Sequence, residues 1–205
     1  DTLRFITRFQ QYTAPVMAKG MEDTAFYVYN RLTSLNDVGF DPRHFGISPS
    51  AFHHENANRL TQWPQSMVST STHDSKRGED VRARIDVLSE LPEQWRKHLG
   101  RWSRLNRRKK HLVDGLAAPS RNDEYLLYQT LLGVWPLQMP DAAGMDELRQ
   151  RIEDYMIKAT REAKEHSSWI NPHPEYEAAV SHFIDALFRR PEHNAFVTDF
   201  LVLHR

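Results

Sequence analysis

The sequence between residues 67 and 77 reads Met67-Val68-Ser69-Thr70-Ser71-Thr72-His73-Asp74-Ser75-Lys76-Arg77. Its first part is an apolar and β-branched run, which predicts a β-strand over about Met67–Thr72. The strand would end by presenting His73 and Asp74, and barrel enzymes commonly place catalytic side chains at the carboxyl ends of their strands. A single carboxylate cannot by itself perform chemistry that needs two carboxylates. The stretch therefore indicates part of an active site rather than a complete one.

Most of the remaining sequence has helical periodicity, so the predicted fold class is mainly α. Before the strand, apolar spacing predicts one helix around residues 3–10 and another over Ala25 to Leu35, with an interruption at Lys19-Gly20. Residues 39–64 have little sustained periodicity and predict an irregular connection. After the strand, amphipathic helices are predicted to begin at Glu79, Pro92, Ser120 or Asn122, Asp141, Tyr176 and Pro191.

Composition restricts the classes of function. The chain has 205 residues, 27 of them basic and 27 acidic, and its net charge is close to zero. This balance gives no global electrostatic reason to expect nucleic acid or an anionic membrane as a partner. The absence of Cys excludes disulfides and thiol catalysis, and it is compatible with a cytoplasmic protein. No stretch approaches the roughly 20 apolar residues that span a bilayer.

Two clusters of polar residues invite a functional interpretation that the sequence does not favour. The basic run between Arg96 and Lys110 shares its helix with an apolar stripe, so we expect its cations to be solvated or to face an acidic protein neighbour. The pair His53-His54 lacks a second pair of ligands at a recognisable spacing, so no metal site is predicted.

Four separated stretches carry a specific resemblance. They are Val16–Tyr27, Ser71–Arg84, Asn122–Thr130 and Arg161–Trp169. Each resembles the maltooligosyl trehalose synthase family of the α-amylase superfamily, and they occur in the family's order along nearly the whole chain. The resemblance implies a parent protein with an amylase-type (β/α)8 barrel, of which this chain is an internal or C-terminal-half fragment. We expect residues 1–75 to be a barrel-derived segment and residues 76–205 to be a helical subdomain.

The resemblance also implies an activity. Enzymes of this family are intramolecular transglycosylases, which convert the reducing-end α-1,4 linkage of a maltooligosaccharide into an α,α-1,1 linkage without a cofactor. Their retaining mechanism uses an Asp nucleophile, a Glu acid/base and a second Asp that stabilises the transition state. Asp74 matches the second Asp. No segment between Asp1 and Thr72 matches the other two, and the chain begins with Asp instead of Met, so we expect an inactive fragment.

The same resemblance places substrate contacts at His73, Lys76, Lys19 and Glu22. The implied partners are a maltooligosaccharide and the remainder of the parent chain, with neither nucleic acid nor a membrane. Each residue also has a structural explanation. Lys76 could be a solvated surface cation, and Glu22 with Asp23 could compensate the dipole at the start of a helix after Gly20.

The sequence leaves open the role of three aromatic residues and also the function of the chain. Tyr27, Tyr29 and Trp63 could stack against sugars, although burial in a core is the preferred interpretation. The chain could also be a non-catalytic helical module that binds glycan or protein. Another amylase-like glycoside hydrolase would share Asp74, but it would lack the stretches that contain Lys19 and Trp169.

Overall fold

Helices dominate the computed structural model, which describes residues 1–204. The predicted mainly α fold class is confirmed, because a two-stranded antiparallel sheet is the only sheet in that range. The longer helices after residue 75 are α4 (Glu79–Asp86), α5 (Pro92–Asn106), α6 (Arg121–Val134), α7 (Ala142–Ala163), α8 (Pro174–Phe188) and α9 (Ala195–His204).

The N-terminal part is one continuous helical run. Helix α1 (Thr2–Met17) continues into a π-helix (Ala18–Ala25), which is followed by the short α2 (Phe26–Val28). The predicted interruption at Lys19-Gly20 is therefore wrong, because a glycine weakens a helix without breaking it. The predicted second helix also ends early, since Tyr29 leaves helical geometry at φ −87° and ψ 80°.

Helix α1 has an apolar surface but no buried residue. Its side chains do not reach the core of the described chain, and large apolar groups lie open along it. The exposed residues are Leu3, Phe5, Ile6, Phe9, Tyr12, Val16 and Met17. Contiguous exposed apolar surface of this kind is typical of an interaction site.

Helix α3 (Pro49–Gln62) lies where the sequence predicts an irregular connection. Ser48 caps it by accepting a hydrogen bond from the Ala51 backbone N–H at 3.2 Å, and Pro49 occupies the first turn. Ser48-Pro49 is thus a helix start. The preferred burial of Trp63 is also wrong, since this residue after α3 is 70% exposed.

The strand predicted over Met67–Thr72 does not form. None of these residues pairs with another strand, and Met67 and Val68 are 101% and 69% exposed. A strand needs a hydrogen-bonded neighbour, and the described part of the chain offers none beside this segment. The sheet instead joins β1 (His111–Val113) to β2 (Leu116–Ala118).

The β1–β2 turn was missed although it carries a strong sequence signal. Asp114 and Gly115 both have positive φ, at 51° and 79°, as a type I′ hairpin turn requires. Glycine reaches this region without steric cost, and aspartate tolerates it better than most residues. The register pairs His111 with Ala118.

Trp102 lies at the centre of the core between α5, α6 and α9. It has no exposed surface, and its ring centroid lies 5.2 Å from that of Tyr128 and 5.5 Å from that of Phe196. Its indole N–H donates to the Asp199 carboxylate at 2.8 Å. The apolar stripe predicted on this basic helix therefore does anchor α5.

The end of the basic run is partly buried. Arg96 is solvated as expected, with 79% of its side chain exposed. Lys110 instead lies 2.6 Å from Glu124, and their side chains are 9% and 5% exposed. Burial also lowers the pKa of Lys109. The acidic neighbour considered for these cations is thus in the same chain.

Asp37 anchors the segment that contains His73 and Asp74. Its Oδ1 accepts the backbone N–H of Lys76 at 3.3 Å, and its Oδ2 lies 3.0 Å from Arg82 of α4. Arg77 adds hydrogen bonds to the carbonyl of Thr33 at 3.0 Å and to the hydroxyl of Tyr155 at 2.9 Å. The segment is therefore held on α4 and α7 without belonging to a sheet.

Gly133 sets how closely α4 and α6 approach. A Cβ atom at this position would lie 2.6 Å from Val81 Cγ1 and 3.2 Å from Ile85 Cδ1. We expect Gly133→Ala to lower the free energy of unfolding by about 1–3 kcal/mol. Gly100→Ala is the matched control in α5, where the nearest atom is 3.7 Å away, and it should raise stability by up to about 1 kcal/mol. Urea denaturation measures both, and equal effects would contradict the close approach.

Asp37→Asn should loosen the anchored segment. The substitution removes the charge that pairs with Arg82, and we expect a loss of about 1–3 kcal/mol in the free energy of unfolding. Amide hydrogen exchange should also become faster at Lys76. The control is Asp41→Asn, which removes the partner of a largely exposed Arg43 and should change neither quantity. Unchanged exchange at Lys76 in Asp37→Asn would show that another contact holds the segment.

Candidate functional site

The π-helix supplies one side of the candidate site. It carries Lys19, Glu22 and Asp23 in the middle of a continuous helical run, so Glu22 and Asp23 do not cap a helix start. A π-helix has a wider turn than an α-helix and is frequently found at functional sites. Here the Thr24 hydroxyl donates to the Lys19 carbonyl at 2.7 Å, a span of five residues along the wide turn.

Lys76 supplies the other side and meets the π-helix through Asp23. Its Nζ lies 2.9 Å from Asp23 Oδ1, and Lys19 Nζ lies 2.6 Å from Asp23 Oδ2. The Lys76 side chain is only 15% exposed, whereas that of Lys19 is 73% exposed. Lys76 is therefore not the solvated cation that the sequence left open. Two of the predicted substrate contacts share one carboxylate.

The charges of this cluster are mutually stabilised. The hydrogen bond from Lys19 lowers the pKa of Asp23 below its ordinary value, burial opposes this shift, and Lys76 adds to the lowering. The same hydrogen bond with Asp23 raises the pKa of Lys19. Asp23 is thus an ionised acceptor at neutral pH. Each ammonium has three N–H donors, so donors remain for a ligand hydroxyl.

His73 and Asp74 lie in an exposed turn next to Lys76. The His73 Nε2 to Asp74 Oδ2 distance is 3.3 Å, and the side chains are 90% and 70% exposed. The turn is shaped by Thr72, whose backbone N–H donates to the Ser75 hydroxyl at 2.9 Å. Because the Asp74 side chain is so exposed, its carboxylate is open to a ligand or to a further part of a protein.

Glu22 lies in the same π-helix but is not drawn into the cluster. Its side chain is partly buried, and no ion pair joins it to another residue in the range 1–204. The structure thus brings together Lys19 and Lys76, places His73 and Asp74 in the adjoining turn, and leaves Glu22 apart from these contacts.

The residues that hold the cluster were mostly missed by the sequence interpretation. Asp23 was assigned only to a helix start, and Asp37 was not singled out. Lys164 is a further link, because its Nζ donates to the Thr24 hydroxyl at 2.8 Å from a left-handed position at the end of α7. The resemblance of Arg161–Trp169 to a family motif was the one signal that could have pointed to Lys164.

Two general properties of the described chain bear on its possible ligands. In residues 1–204 no three or more His, Cys, Asp or Glu side chains are grouped so as to hold a metal ion. Within the same range no helix combines the length and the apolar character needed to cross a membrane.

Comparisons with known proteins identify the relatives of the chain. No protein-family model matches it. Two Mycobacterium tuberculosis proteins named as maltooligosyl trehalose synthases, from strains CDC 1551 and H37Rv, are 43% identical over 184 residues, which cover 90% of this chain and 22% of each relative.

Solved structures agree with the sequence comparison. The hypothetical maltooligosyl trehalose synthase of Sulfolobus tokodaii superimposes with a TM-score of 0.82 at 38% identity, covering 97% of this chain and 25% of that one. Maltooligosyltrehalose synthase from Arthrobacter ramosus gives 0.79 at 38% identity, covering 96% and 23%. The chain thus corresponds to about a quarter of these proteins. Over nearly all of its own length it is homologous to one segment of maltooligosyl trehalose synthases.

Proposed function

We propose that this chain serves an intramolecular transglycosylase that turns the reducing-end α-1,4 linkage of a maltooligosaccharide into an α,α-1,1 linkage. The observation that carries the proposal is that Lys76 and Lys19 both bind the Asp23 carboxylate. The distances from Nζ to the carboxylate oxygen are 2.9 Å for Lys76 and 2.6 Å for Lys19. These lysines come from separate stretches that resemble the family, and they gather beside the turn that contains Asp74. Lys19 and Lys76 can bind the same sugar only if the two stretches lie close together.

Asp74 is the proposed transition-state stabiliser. A carboxylate in this position would accept hydrogen bonds from sugar hydroxyls, and these bonds strengthen as positive charge develops on the ring. His73, 3.3 Å from Asp74, would donate to the same sugar. Lys19, Lys76 and Glu22 would contact neighbouring hydroxyls. No cofactor is needed for this chemistry.

The nucleophile and the acid/base would come from other parts of a longer protein. Glycosidic bond exchange with retention needs both, and Asp74 takes neither role in the proposal. In this proposal residues 1–75 belong to the barrel and residues 76–205 to a helical subdomain. The open apolar surface of α1, where Phe5 is 69% and Phe9 is 58% exposed, supports burial against further parts of that protein.

The helical subdomain would have a second task. Transfer within one molecule requires that the freed glucosyl end attacks the glycosyl-enzyme intermediate before water does. We assign this exclusion of water to the helices behind the site, where Lys164 and Tyr155 of the α7 region hold the π-helix and the segment around Asp74.

Asp74→Asn in the longer protein tests the assignment. With maltopentaose as substrate, we expect kcat to fall about 10²–10³-fold, because one preorganised charge in the transition state is lost. Loss of reducing ends measures isomerisation, and release of glucose measures hydrolysis. Glu153→Gln, which removes an ion pair with Arg149 elsewhere on α7, is the control and should leave kcat unchanged.

Other outcomes would favour the alternatives. Undiminished turnover in Asp74→Asn would contradict the catalytic role of Asp74. Glucose release without loss of reducing ends would indicate an amylase-like hydrolase. Binding of maltopentaose without either reaction, in the wild-type longer protein, would indicate a glycan-binding module.

A further inference from the structure

Asp23 contacts both lysines of the candidate site. Its carboxylate oxygens are divided between them, with Oδ2 at 2.6 Å from Lys19 Nζ and Oδ1 at 2.9 Å from Lys76 Nζ. Lys76 is 53 residues from Asp23 in sequence, so the contact fixes the π-helix against the segment that contains Asp74. Without the carboxylate, two neighbouring ammonium groups would repel each other.

Hydrogen bonds around Asp23 help to fix the positions of the lysines. Thr24, the next residue, accepts a hydrogen bond from Lys164 at 2.8 Å and donates one to the Lys19 carbonyl at 2.7 Å. Lys76 also lies 5.9 Å from the ring centroid of the buried Tyr27, which restricts its side chain further. Asp23 thus joins two elements that are each held independently.

Burial indicates which lysine depends more on Asp23. The side chain of Lys76 is 15% exposed, and a largely buried ammonium is costly unless it is paired. The side chain of Lys19 is 73% exposed, so solvent can satisfy it without a partner. For Lys19 the carboxylate therefore contributes orientation, and for Lys76 it also contributes the compensating charge.

We infer that Asp23 is a positioning residue of the transglycosylase: it does not contact the sugar, but holds Lys76 and Lys19 so that their free N–H donors meet the hydroxyls of one glucosyl unit. The inference rests on the proposed function. Each acceptor oxygen of Asp23 already accepts a hydrogen bond from a lysine. The lysine donors that remain suit a neutral carbohydrate, whose hydroxyls accept without a charge.

Kinetics of Asp23→Asn in the longer protein test the inference. Maltopentaose would be held less well in the ground state and the transition state alike, so KM should rise about tenfold while kcat stays within about threefold. A merely structural defect would reduce the active fraction, which lowers kcat and leaves KM unchanged. Asp23→Glu keeps the charge and should restore part of the affinity, and it also serves if Asp23→Asn does not fold. Glu153→Gln, at a carboxylate of similar exposure in another i,i+4 pair, should change neither constant.

A double substitution tests whether Asp23 affects KM through Lys76. If Asp23 acts through Lys76, Asp23→Asn should add little to the KM of Lys76→Met, so the double substitution is non-additive. A readout independent of activity is the acetylation rate of Lys76 with acetic anhydride, followed by mass spectrometry. This rate should rise several-fold in Asp23→Asn and stay constant in Glu153→Gln, because an amine without its carboxylate is freer to react.

Each failure has a distinct signature. An active wild-type protein whose KM is the same in Asp23→Asn, or additive effects with Lys76→Met, would overturn the role of Asp23 and leave the proposed function standing. A wild-type longer protein that does not remove reducing ends from maltopentaose would overturn the proposed function and this inference together. A raised KM, non-additivity and faster acetylation of Lys76 would together support it.

Discussion

The packing of Trp102 is the interaction on which the helical part of the structure depends. This fully buried ring lies among the aromatic side chains of α5, α6 and α9, and its N–H is satisfied by Asp199. Asp199 also accepts from His98 at 2.8 Å and pairs with Arg101 at 2.7 Å, so a buried carboxylate is compensated on several sides. A large aromatic group with a satisfied polar atom fixes the orientation of helices better than apolar contact alone.

The candidate site is built outward from these packed helices by polar contacts. Asp37 and Arg77 connect the segment around Asp74 to α4 and α7, and Lys164 connects the end of α7 to the π-helix. Each contact joins residues that are far apart in sequence. Among the described residues these contacts place the segment around Asp74 on α4 and α7, which pack in the core.

The exposure of large apolar residues differs between two parts of the chain. The segments after residue 78 bury most of their large apolar residues, including Ile85, Leu131 and Phe183. The segments before it leave many of theirs open, as in α1 and α3. This difference agrees with relatives that are about four times as long as this chain.

The sequence by itself determined the mainly α fold class, the resemblance to maltooligosyl trehalose synthases and several helix starts. Of the two caps predicted for α6, Ser120 or Asn122, the structure has Ser120, which accepts from the Asp123 backbone N–H at 3.1 Å. Such starts can be predicted because caps and amphipathic periodicity are local properties. The strand predicted from the sequence at Met67–Thr72 is wrong, since a strand depends on a neighbour elsewhere. The sequence could not show that Asp23 joins Lys19 to Lys76, because that contact exists only after distant segments pack together. Local hydrogen bonding is encoded in neighbouring residues, whereas partners across the fold are chosen by tertiary structure.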